Sequence, residues 1–205
     1  MKKFIPVILL VFLCSCGTTG AVHMAKNEAE SYKTTYEDAH VQKLSKDNEA
    51  LLKTIYQRFR GSNINIYKEG IGITLLNDQK NEKFHYIMIN VRPPDIAFNE
   101  STTTPEQRFS SVLQNYFPKY LKFIKKEDLN RDDIEGLALG IYWPVRDFSQ
   151  CATYGGFIEY IHIYFMREDV WDMLDGKKNF VDVIQSSEVI TSLNLKPAQN
   201  VKPVF

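Results

Sequence analysis

The sequence predicts an α+β domain: a four-stranded antiparallel sheet made of two hairpins, with amphipathic helices packed on one face, in the order α-ββα-ββα. Three observations lead there. Two pairs of apolar segments alternate with period two, which is the mark of half-buried strands. Each pair is followed by a segment whose apolar residues recur every three to four positions. A further helical pattern precedes the first pair.

The first helix is expected at about 40–60. Val41, Leu44, Leu51, Leu52, Ile55, Tyr56 and Phe59 lie on one stripe, and Gly61 is a stop. Strand residues follow: Ile64 and Ile66 alternate, then Ile71, Ile73 and Leu75. The polar run at 77–83 turns the chain into a return strand at about 84–92, ended by Pro93-Pro94. Thr104 then reads as an N-cap, Pro105 suits the first helical position, and Gln107 completes a capping box. Phe109, Val112, Leu113, Tyr116, Phe117, Tyr120, Leu121 and Ile124 form the apolar stripe of this second helix, which Pro118 should kink or split. Strands at about 134–143 and 156–166 and helical turns at 168–175 and 180–186 complete the pattern. Glu69-Gly70-Ile71-Gly72-Ile73 resembles Glu135-Gly136-Leu137-Ala138-Leu139, and Tyr86-Ile87-Met88-Ile89 resembles Tyr160-Ile161-His162-Ile163, as a duplicated strand-strand-helix unit would.

The chain opens with Met1-Lys2-Lys3, ten apolar residues from Phe4 to Leu13, and Cys14-Ser15-Cys16. A short basic start and a short apolar run are the layout of a secretory signal peptide; a mature membrane span needs roughly 20 apolar residues. The ending Leu13-Cys14-Ser15-Cys16 resembles the lipobox of bacterial lipoproteins, although Cys14 stands where a small aliphatic or hydroxyl residue is commoner. The resemblance covers residues 1–16 only. It implies that residues 1–15 are removed, that Cys16 carries the lipid, and that the protein is a lipid-anchored component of the cell envelope. With Gly17 next, it implies an outer-membrane position facing the periplasm if the organism is Gram-negative. Two or three acyl chains anchor stably, at about 0.8 kcal/mol per buried methylene. Residues 16–38 then form the anchor and a flexible tether, and 39–205 a single domain.

The 205 residues carry 25 basic and 25 acidic side chains. Loss of Lys2 and Lys3 leaves 23 against 25, a balance that does not point to nucleic acid. Cys14 leaves with the signal and Cys16 takes the lipid, so Cys151 stands alone and the mature domain has no disulfide to hold it.

Period two puts Ile71, Ile73, Leu75, Ile87, Ile89, Val91, Leu137, Leu139, Ile141, Ile161, Ile163 and Phe165 under the helices. The other face then carries Gly72, Thr74, Tyr86, Met88, Asn90, Ala138, Gly140, Tyr142, Tyr160, His162 and Tyr164. Small residues beside aromatic walls describe a shallow groove for an amphipathic ligand or a partner protein. The alternative is that the N-terminal helix or the C-terminal tail covers this face.

The loop at 143–156 adds Trp143 and Arg146 as candidate binding residues; Trp143 and Phe148 would otherwise cap the core. Arg146, Asp147, Ser149 and Cys151 also leave open a second reading, an envelope hydrolase with its site near this loop. No recognisable nucleophile motif surrounds Cys151. Glu159 and His162 point to opposite strand faces, so no metal is expected there, and no cofactor motif occurs. Lys119, Lys122, Lys125 and Lys126 form a basic stripe that reads as a solvated helix face or a contact to anionic headgroups.

Overall fold

In the computed structural model the chain is described over residues 28–77, 82–149 and 156–193. A short helix α1 (Glu28–Ser31) leads into α2 (Ala39–Asp47) and α3 (Glu49–Gly61). Asp38 caps α2 by accepting from the backbone N–H groups of His40 and Val41. The single helix expected over 40–60 is thus broken at Asn48, which closes α2 and opens α3. Strands β1 (Ile66–Asn77) and β2 (Lys83–Val91) form the first hairpin, and β3 (Phe98–Asn99) follows.

Helix α4 (Pro105–Asn115) has the predicted start. The Thr104 hydroxyl accepts from the Gln107 N–H, and the Gln107 side chain accepts from the Thr104 N–H. The stripe is split before Pro118, and α5 (Phe117–Leu121) and α6 (Lys126–Leu129) continue it. Then come β4 (Gly136–Arg146), β5 (Phe157–Met166), α7 (Arg167–Leu174), α8 (Phe180–Ser186) and β6 (Glu188–Thr191).

The architecture is mixed α+β, but the sheet is not the four-stranded antiparallel one expected. Its order is β1-β2-β4-β5-β6, with β3 beside the end of β4. The two hairpins meet through β2 and β4, which run parallel. The cause is the connection at 92–135: it carries three helices, which return the chain to the starting end of β2, as parallel pairing requires. β3 and β6 are too short to show a period.

The core lies where strand alternation places it. Across the sheet, Ile73 pairs with Ile87, Ile87 with Leu137 and Leu137 with Phe165. The next row is Ile71, Ile89, Leu139 and Ile163. Of the twelve residues expected under the helices, all but the half-buried Leu75 are buried, in one cluster with Ile55 and Phe59 of α3, Phe109 and Leu113 of α4 and Phe117 of α5. Leu113 is 2% exposed, so Leu113→Ala should cost about 2–5 kcal/mol in urea titration.

The two halves are not superposable in register. Ile71 faces Ile89, yet Leu137, its counterpart in the sequence match, faces Phe165, two residues beyond the counterpart of Ile89. The expected tether also ends early. Tyr32 bridges to Ile71 of β1, and residues from Glu28 onward pack against the domain, eleven residues before its expected start at 39.

Candidate functional site

The second sheet face is built from strand residues. Its buried cluster joins Tyr86, Ala138 and Tyr164 with the flanking Leu76, Phe84, Met166 and Ile190, all from strands, whereas the helices contribute to the cluster on the opposite face. Each cross-strand row mixes small and large residues. Gly72, Met88, Ala138 and Tyr164 make one row; Asn90, Gly140 and His162 make another; Tyr142 pairs with Tyr160 at the end.

The small residues do not leave the groove expected of them. A Cβ at Gly140 would overlap the Asn90 side-chain oxygen and approach the His162 ring to 2.7 Å. One at Gly72 would overlap the Tyr36 hydroxyl, and one at Gly136 would overlap the Phe165 backbone carbonyl oxygen and come to 3.0 Å from the Tyr86 ring. At Gly72 and Gly140 neighbouring side chains lie over the glycine, and at Gly136 the backbone of the adjacent strand fills the space. Tyr86 (3% exposed) and Tyr164 (9%) are consequently buried and meet edge to face at 5.3 Å. Burial raises both phenols, Tyr86 to about 12, and Tyr164 is hydrogen-bonded to Thr74. These two candidate residues are packing, not a docking surface.

The other end of the face is different. Tyr142, Tyr160 and His162 are half-buried and in mutual ring contact at 5.1–5.4 Å. His162 Nε2 and the Tyr142 hydroxyl share a hydrogen bond of 2.9 Å. Desolvation lowers the His162 pKa to about 4, so the ring is neutral at pH 7, and desolvation raises the Tyr142 phenol. Beside them the buried Asn90 oxygen has no hydrogen-bond partner.

A residue missed by strand alternation completes this cluster. Tyr67 stacks on Tyr142 at 4.1 Å with the rings 6° from parallel. It reaches this face through a bulge in which six residues of β1 (Ile66 to Ile71) are set against three of β2 (Val91 to Ile89). Glu69 takes φ 53°, and at Gly70 a Cβ would sit 2.5 Å from the Asn90 carbonyl oxygen. The signal was present as a change of parity, from the even positions Ile64 and Ile66 to the odd positions Ile71 and Ile73.

Trp143 is not part of the surface. It is fully buried on the helix-facing side, where its indole N–H donates to Glu159 at 2.9 Å. Glu159 is held in turn by Arg108 through bonds of 2.8 and 2.6 Å. Arg146 is exposed, four residues beyond Tyr142 and so about 13 Å along β4, with its guanidinium 5.0 Å over the Phe148 ring.

In the hydrolase reading, the Ser149 hydroxyl donates to Asp147 two residues away at 2.7 Å. That bond is the main cause holding the Asp147 carboxyl below its ordinary range, which makes it a poorer base. Cys151 and Cys16 lie outside the described residues. Among the described residues no group of three or more His, Cys, Asp or Glu comes together to hold a metal, and no helix is long and apolar enough to cross a membrane.

The class this geometry defines is an α+β domain with helices on one face of a mixed sheet and an aromatic cluster on the other. No protein-family model matches the chain, and the searches of curated proteins and of solved structures give no match.

Proposed function

We propose that this chain is a lipid-anchored envelope lipoprotein with a non-enzymatic role, binding a partner protein or an amphipathic envelope component through the Tyr67–Tyr142–Tyr160–His162 end of its sheet. The observation that carries the binding role is the half-buried aromatic cluster with polar tips on a face whose buried residues come from strands alone. Tyrosine supplies large contact area at low entropic cost and a hydroxyl for orientation. The anchoring role rests on the resemblance of residues 1–16 to a lipoprotein signal. An outer-membrane position belongs to the same reading.

One experiment tests both parts. Cells are fed an alkynyl fatty acid, the envelope is cross-linked, and the tagged protein is recovered with its partners. Label should be present in the wild type and absent in Cys16→Ser. Partner recovery should fall in Tyr67→Ser/Tyr160→Ser while the melting temperature stays within a few degrees. Undiminished label in Cys16→Ser rejects the anchor, and undiminished recovery in the tyrosine variant rejects the docking face.

A further inference from the structure

The stretch from Glu28 to Asp38 lies along the outer edge of β1 as a strap. The Lys33 N–H donates to the Ile71 carbonyl at 2.8 Å, and the Ile73 N–H donates to the Tyr36 hydroxyl at 3.1 Å. Tyr36 is seated on Gly72, where a Cβ would overlap its hydroxyl and come within 3.1 Å of Lys33 Cβ. Tyr32 packs on Tyr56 at 5.3 Å, and at the far end Asp38 pairs with Lys83 at 3.0 Å. Within the strap only Ser31 is buried, whereas α3 buries Leu52, Ile55, Tyr56 and Phe59. A segment that buries so little opens at lower free energy than the core it rests on. Only Tyr32 and Tyr36 of the strap pack against the main core, and both are partly buried; the buried members of that core all lie outside the strap.

We infer that this strap sets how far the domain can stand from the membrane, its seating on Gly72 dividing a short-tether state from a long-tether one. The inference rests on the lipid anchor at Cys16. With the strap seated, the chain from Cys16 to Glu28 covers twelve residue steps and spans at most about 40 Å. With the strap released as far as Asp38, twenty-two steps span at most about 75 Å. Release also uncovers the Gly72 end of the sheet face, so reach and access to that face change together.

The test uses the full lipidated protein purified from membranes, and a supported bilayer. Native-state hydrogen exchange should show the Lys33 and Ile73 amides opening at least about tenfold more readily than the α3 amides. Gly72→Ala should abolish most of their remaining protection with the melting temperature nearly kept. Lys33→Pro, which removes the donor to Ile71 and leaves the sheet intact, should do the same. In neutron reflectometry both variants should move the protein layer outward by about 5–10 Å, the added root-mean-square reach when the strap joins the chain between Cys16 and the domain. Strap amides that exchange only with global unfolding overturn the inference, as does an unmoved layer in variants whose strap is unprotected. Mass spectrometry of the peptide bearing Cys16 reads the anchor separately, so an unlipidated peptide rejects the anchor while the exchange data still report on the strap.

Discussion

Replacing Glu159 with glutamine should remove about 3–5 kcal/mol of stability, a large share of the roughly 5–15 kcal/mol by which ordinary domains are stable. Glu159 and Arg108 are each 2–3% exposed and joined by two hydrogen bonds. Arg108 also donates to the Thr103 carbonyl, and the Trp143 indole donates to the same carboxylate. The network ties α4 to β4 and β5 through the chain just ahead of the α4 cap. Glutamine keeps the volume but removes the counter-charge, leaving a guanidinium buried and uncompensated. Removing both charges with Arg108→Met/Glu159→Leu should cost much less than the sum of the single changes, because the stranded charge goes with its partner. Urea titration of the wild type, Arg108→Met, Glu159→Leu and the double variant closes the cycle. Single variants that each lose under 1 kcal/mol would show that water reaches the pair and that it does not hold the core.

The second large effect is a pH dependence carried by His162. Its pKa is about 4 in the folded chain, lowered by desolvation, against an ordinary value of about 6.5. Between these values the unfolded chain binds the proton and the folded chain does not, so stability is lost as pH falls. The contribution is fully present above about pH 6.5, declines through the window and levels off below about pH 4. Over that span the wild type should lose on the order of 2–3 kcal/mol more than His162→Gln, less than full desolvation implies because the ring is half-buried. Parallel stability curves for the two proteins between pH 7 and 4 would show that the imidazolium is tolerated in place. At pH 7 the ring is neutral and hydrogen-bonded to the Tyr142 hydroxyl, which suits the proposed surface to uncharged polar groups.

Much of the fold was legible because single elements obey local rules. The α4 start needed only Thr104, Pro105 and Gln107, since a capping box is satisfied within one turn. The helix-facing strand residues followed from period two alone. The parallel pairing of β2 with β4 was not legible, because it depends on where three helices return the chain. The candidate site was half legible. Tyr142, Tyr160 and His162 come together as alternation placed them, but Trp143 has the parity of Leu139 and Ile141 and belongs to the core. Tyr67 was hidden by a bulge whose one clue was a change of parity.

By itself the sequence determined the α+β class, the start of α4, the buried strand face and the resemblance to a lipoprotein signal, since each depends on neighbours within a few residues. Only the tertiary structure decided the mixed sheet, the docked strap, and the filling of the small-residue positions by Asn90, His162, Tyr86 and Tyr36. The reason is physical. A glycine in a strand is as consistent with an open groove as with a side chain lying across it. The choice is made by a cross-strand neighbour dozens of residues away in the chain.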